Sequence, residues 1–342
     1  MRVSLRRFAV ALAVIAAVAA GAGAHAAAVV APAPAASAPD ASAPDAAVCP
    51  PLPTPITNDE GMAGMRAAVD HGLLWKATKG GRSVYLYGTI HVAKRDWMFP
   101  GPQAMHAIMT SDAIALELDP LDADVVTHLQ KAFLRRADTP ALPDALQRRL
   151  DAAMAAACLA PAALAALRPE MQVVSIEVLA GRRFGLYPEY GVDEFLAGLG
   201  HGMKKPVRSL ETPESQAALL VSDDPVESVR NVGDVLDEIE NPRSARLLQR
   251  LAVDWERGDL ADIEAYGTWC ECMDTPERRA DFAKLVDQRN PLMADKIAQW
   301  HADGTSLFVA VGTLHMIGRV GLPELLKARG FQVERVAYAA HP

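Results

Sequence analysis

Two histidines stand out by their settings. His91 closes Gly88-Thr89-Ile90-His91 and His315 closes Gly312-Thr313-Leu314-His315, a Gly-Thr-x-His frame repeated near opposite ends of the chain. Each frame follows an apolar, strand-like run, so both imidazoles are expected beyond the carboxyl end of a strand, where open α/β sheets bind ligands. Gly88 and Gly312 allow a sharp turn or close backbone approach there, and are read as candidate cofactor-contacting positions. Glu117 sits in the apolar run Ala113-Ile114-Ala115-Leu116-Glu117-Leu118. A carboxylate there must be paired, coordinated or protonated; the choices are a metal or catalytic role, or a salt bridge to a buried arginine. Asp119 follows as a candidate supporting partner. Glu211 ends a second strand-like run, Val207-Arg208-Ser209-Leu210, and precedes Thr212-Pro213. It is either a site carboxylate or one that merely favours a helix N-terminus. Two imidazoles with one or two carboxylates suit a divalent ion such as Zn, Mn, Co or Fe. Such an ion can generate a nucleophile from water near neutral pH, with an unbound carboxylate taking the proton. No His-Glu-x-x-His, Gly-x-Ser-x-Gly or P-loop pattern is present.

The elements that must position these residues form two similar units. The first is a strand over 84–87, the first frame, a loop with Pro100 and Pro102, a helix over about 103–110, and a strand over 113–118. The second is a strand over 306–311, the second frame, a helix over about 323–329 ended by Gly330, and a strand over 331–336. Strands joined through a helix run parallel, so both are βαβ units. Between them, helices are expected over 122–136, 143–157, 161–182, 192–202, 213–221, 226–239, 243–256, 259–270 and 276–302, with Pro161, Pro276 and Pro323 as helix starts. Pro169 should kink or split its helix. The expected fold class is α/β: two βαβ units forming a small sheet around a large, mostly helical insertion, about 121–302.

Three segments make up the chain. Residues 1–26 read as a secretory signal peptide: Arg2, Arg6 and Arg7, then an apolar run from Phe8 to Ala20, then Ala24-His25-Ala26. Residues 27–55, rich in Ala and Pro with Ser-Ala-Pro-Asp twice, read as a flexible spacer. Residues 56–342 are the globular part. The expected location is periplasmic or secreted, with no stable membrane span once the signal is cleaved. The 342 residues are 51% hydrophobic and 22% charged, which is globular composition and excludes a wholly disordered chain. The net charge of −8 becomes −11 without Arg2, Arg6 and Arg7, and argues against nucleic acid as a partner. Four cysteines cannot be the main framework. Cys270 and Cys272 look too close for an easy mutual disulfide. The other histidines, His25, His71, His106, His128, His201, His301 and His341, share no frame and read as surface or satisfied residues.

The chain resembles the TraB/GumN family, which includes the animal Tiki proteases. The resemblance rests on Tyr85-Leu86-Tyr87-Gly88-Thr89-Ile90-His91, Ser111-Asp112-Ala113 through Glu117-Leu118-Asp119, Tyr190-Gly191-Val192-Asp193, Leu210-Glu211-Thr212, Arg289-Asn290, and Val309 through His315. It implies a fold related to erythromycin esterases and ChaN-like haem-binding proteins. It also implies a metal-dependent hydrolase site with His91, Glu117 and His315 as ligands of Mn, Co or Zn. Glu117, Glu211, Arg289 and Asn290 would be the catalytic group, Arg289 orienting a carboxylate or holding a substrate carbonyl or carboxylate. The expected function is thus an exported hydrolase of peptide or other amide bonds. The alternative is an envelope protein that binds haem, metal or a peptide without turnover.

Overall fold

A computed structural model describes residues 49–338. The expected signal peptide, most of the expected spacer, His25 and His341 lie outside the described residues. The architecture is mixed α/β: a six-stranded sheet carries helices on both faces. The strands are β1 (Leu73–Lys79), β2 (Arg82–Thr89), β3 (Ala113–Leu116), β4 (Val207–Ser209), β5 (Leu307–Gly312) and β6 (Gln332–Arg335), in the order β4-β3-β5-β2-β1-β6. β2, β5, β3 and β4 run parallel, and β1 pairs antiparallel with both β2 and β6.

Both expected βαβ units form, but neither has adjacent strands. β5 inserts between β2 and β3, while β2 and β1 separate β5 from β6. The chain ends therefore interleave, which sets the two His frames side by side: Gly88 pairs with Val311 and Thr89 with Gly312. β1 is an element that the pattern of motifs does not announce. Its link to β2 is the two-residue turn Gly80-Gly81, both with positive φ (57° and 79°), the conformation that tight hairpins need.

β5 and β3 are apolar throughout because both of their faces are covered. Strand alternation deals their side chains to two cores. Ile114, Leu116, Phe308 and Ala310 join one with Val192, Leu196 and Trp255. Ala113, Ala115, Leu307, Val309 and Val311 join the other with Met293, Ile297 and Leu322.

The helical insertion follows the expected segments with informative breaks. Pro169 starts a helix, Pro169–Leu179, instead of interrupting one, and Pro161 begins only turns. The expected 259–270 helix is two short pieces, Leu260–Glu264 and Tyr266–Trp269. The expected 276–302 helix divides into Pro276–Phe282, a π-helical turn Ala283–Asp287, and Asn290–Ala302. That last break matters for function, since it sets Arg289 and Asn290 at a helix N-terminus, and π-turns often mark functional sites.

Two expectations are corrected. Cys270 and Cys272 are bonded to each other, across a turn that brings their Cα atoms to 5.0 Å. Cys49 and Cys158 form the second disulfide. Residues 49–55, expected as the end of a flexible spacer, are fastened to the domain. The Cys49–Cys158 bond holds one end, Tyr187 O–H donates to Pro51 O at 3.0 Å, and Tyr190 O–H donates to Thr54 O at 3.0 Å.

Candidate active site

The carboxyl ends of β2, β3, β4 and β5 deliver His91, Glu117, Glu211 and His315 to one edge of the sheet. Helix N-termini from opposite faces complete it. Val192–Gly202 supplies Asp193 from one layer, and Asn290–Ala302 supplies Arg289 and Asn290 from the other. The structure thus brings together every expected catalytic and metal-ligating residue.

Arg289 is the hub. It is buried, and its guanidinium bonds both carboxylates. Nε donates to Glu211 Oε1 at 2.8 Å, while Nη2 reaches Glu211 Oε2 and Glu117 Oε2 in very short contacts. Nη1 donates to Leu285 O at 2.7 Å and faces His315 Nε2 at 3.2 Å. Gln216 Nε2 bridges the same carboxylates, at 2.9 Å from Glu211 Oε2 and 3.3 Å from Glu117 Oε2. Burial alone would keep Glu117 protonated. The Arg289 charge first, then the neighbouring imidazoles and the Gly312 N–H, 3.0 Å from Oε1, outweigh it and hold the carboxyl down to about 2. Glu117 is thus paired with a buried arginine, at the strand end where the two histidines converge.

The two imidazoles are oriented differently. His315 Nδ1 lies 2.6 Å from Asn290 Oδ1, and Asn290 Nδ2 donates to Val320 O at 2.9 Å. The amide is thereby fixed with its oxygen toward the ring, so His315 donates from Nδ1 and presents a bare Nε2. Burial and the adjacent Arg289 charge push its pKa down to about 3, so it is neutral. His91 Nδ1 lies 2.8 Å from Asp193 Oδ2, and Thr89 O–H donates to Asp193 Oδ1 at 2.6 Å. Burial opposes the charged ring, but the Asp193 carboxylate outweighs it and raises the His91 pKa above 6.5. His91 Nε2 is buried and has no hydrogen-bond partner among the described residues.

The repeated glycines have different jobs. A Cβ on Gly312 would point among His91 Nε2 (3.5 Å), Glu117 Oε1 (3.5 Å) and His315 Cδ2 (3.7 Å). The hydrogen there keeps the centre of the site open. Gly88 does not line a ligand position; a Cβ on it would strike Thr313 Oγ1 at 2.7 Å. Asp119 is also turned away, its carboxylate spent on Leu121 N–H (3.0 Å) and His201 Nε2 (2.8 Å). Asp193, Thr89 and Gln216 take part without being singled out by spacing. For Asp193 the available signal was its place in Tyr190-Gly191-Val192-Asp193 at a helix start; Gln216 gave none.

The donor set fits a divalent ion in its chemistry. Two imidazoles have their Nδ1 atoms held by an acceptor, the arrangement that orients metal-binding histidines. Glu117 Oε1 adds an oxygen ligand. Among the described residues, however, no group of three or more His, Cys, Asp or Glu makes a ready-formed ion site. Arg289 Nη1, against His315 Nε2, is the group an ion would have to displace.

Residues 73–335 match the TraB/PrgY/gumN family. The chain belongs to that family. The TraB/PrgY/gumN match runs from the first residue of β1 to the last of β6, so both His frames and every residue of the Arg289 cluster fall inside it. The chain is also similar to "Uncharacterized protein YbaP" of Escherichia coli (strain K12), 26% identical over 252 residues that cover 72% of this chain and 89% of that protein. The YbaP protein of Shigella flexneri matches with the same identity and coverage. No solved structure matches.

Proposed function

We propose that the protein is an exported metal-dependent hydrolase acting on peptide or other amide bonds. One observation carries the reading: two imidazoles, His315 buried and His91 partly so, each with Nδ1 against a fixed oxygen acceptor, flank the space left by Gly312 beside an ionised glutamate. His91 Nε2, His315 Nε2 and Glu117 Oε1 would hold the ion. Bound there, a divalent metal supplies a polarised carbonyl and a water acidic enough to attack near neutral pH.

The chain's own groups set the rest. Glu117, held at about 2, is a poor proton acceptor near neutral pH and serves as an anionic ligand. Glu211, fixed beside it by Arg289 and Gln216, is the carboxylate left to take the water proton and return it to the leaving nitrogen. The water oxygen bonds to the carbonyl carbon, the C–N bond breaks, and the amine leaves with that proton. Arg289 offsets the charge of both carboxylates. Export is supported by the basic, apolar and small-residue order of residues 1–26 and by two disulfides. Among the described residues no helix is long and apolar enough to cross a membrane. Binding of haem without turnover finds no favouring feature, because the cavity at the histidines is about 90 Å³, well below the roughly 300 Å³ at which small-molecule pockets begin.

The test is cleavage of a peptide library by the mature protein with Mn, Co or Zn, beside His91→Ala and Glu211→Gln. Metal-dependent cleavage lost in both variants is expected. A library left uncut with every metal would overturn the hydrolase reading.

A further inference from the structure

The 90 Å³ cavity at the histidines adjoins the charged cluster and extends away from it. His91, His315, Gly312 and Thr313 line one side of it. Leu247, Leu248 and Leu251 of the helix Pro242–Arg257, with Phe282, Leu285 and Val286 around the π-turn, form the other. The volume is several times the roughly 10–15 Å³ that one water needs, and its far wall offers water no hydrogen bond. His91 and His315, the imidazoles of the charged cluster, close its polar end. An apolar wall that ends at two imidazoles matches a ligand with a polar head and an apolar branch.

We propose that this cavity is a specificity pocket for a branched or bulky apolar side chain, of leucine size, next to the amide that the site engages. The proposal builds on the hydrolase reading by naming its substrate class, and its test does not need turnover. N-acetyl-leucinamide, N-acetyl-alaninamide and N-acetyl-phenylalaninamide are titrated into the mature protein by calorimetry or ligand-observed NMR. The leucine amide should bind at least about tenfold tighter than the alanine amide, since one methylene in an apolar pocket discriminates roughly 10–200-fold. Leu251→Trp, at a half-buried wall position, should erase that preference by filling the space. Val286→Ala should enlarge the pocket and move the preference toward phenylalanine.

Equal binding of the leucine and alanine amides, no binding of either at millimolar concentration, or an unchanged preference in both wall variants would overturn the pocket. A leucine preference without cleavage of any peptide sustains the pocket and removes the hydrolase reading. Cleavage that ignores the apolar side chain does the reverse.

Discussion

Replacing Arg289 by methionine leaves two carboxylates, Glu117 and Glu211, buried beside each other with no cation between them. Arg289 is the leading influence that holds the Glu117 carboxyl below its ordinary 4.5 against burial. Breaking a buried pair by removing one partner costs about 3–5 kcal/mol. For a chain of this size that loss lowers Tm by on the order of 10 °C. The pH dependence follows from the sign of the shift. The folded pKa is depressed, so the stabilisation is complete above about 4.5 and fades as the pH falls toward 2. Arg289→Met should therefore cost most at pH 7 and progressively less below pH 4.5. Adding Glu117→Gln and Glu211→Gln to it should recover much of the loss, because neutral amides do not need the cation. Urea unfolding followed by circular dichroism at pH 7 and pH 3 measures all of this. A methionine variant within about 1 kcal/mol of wild type at pH 7, or one whose deficit is equal at both pH values, would refute the reasoning.

Further outcomes follow from the same contacts. In the metal-free protein, NMR should show His91 titrating above 6.5 and, after Asp193→Asn, below it, since burial is then unopposed by the carboxylate; the His91 contribution to stability, whole below 6.5, should fade as the pH rises through that folded value. Gly312→Ala should leave unfolding within about 1 kcal/mol of wild type, because its Cβ meets only contacts of 3.5 Å or more, yet should cut metal affinity by filling the centre. Gly88→Ala should do the opposite, destabilising by about 1–3 kcal/mol through the clash with Thr313, as read by Tm. Asn290→Ala, which frees His315 Nδ1, should lower metal affinity by about 10–100-fold in chelator competition. Cys49→Ser, opening a disulfide across 109 residues, should cost about 2–4 kcal/mol in denaturant unfolding.

The parts of the fold legible in the sequence are those whose signals are local. Val84 to His91 and Ser306 to His315 announce strand and strand end by apolar runs closed by a glycine, and the Pro-led helices Pro213–Leu220 and Pro276–Phe282 announce their starts. What was not legible depends on the order of strands in space. No local feature says that β5 enters between β2 and β3, yet that insertion is what puts His315 beside Glu117. β1 is the less legible strand: Leu73 to Lys79 carries no site residue, and its one local signal is the hairpin turn Gly80-Gly81. The roles of the glycines diverge for the same reason: Gly88 meets Thr313 across a strand pair that the duplication alone does not reveal. Cys270 and Cys272 look too close to bond on an extended chain, but the backbone bends at Glu271 as it enters the short 3-10 turn Glu271–Met273 and brings their Cα atoms to 5.0 Å.

The central claim is that His91, His315 and Glu117 together hold a divalent ion. Calorimetric titration of the chelator-treated mature protein with Mn, Co and Zn, followed by elemental analysis, tests it directly. One ion per chain is expected in the wild type and none in the folded His91→Ala/His315→Ala double variant. A wild type that takes up none of these ions, or a double variant that takes them up equally well, would contradict it.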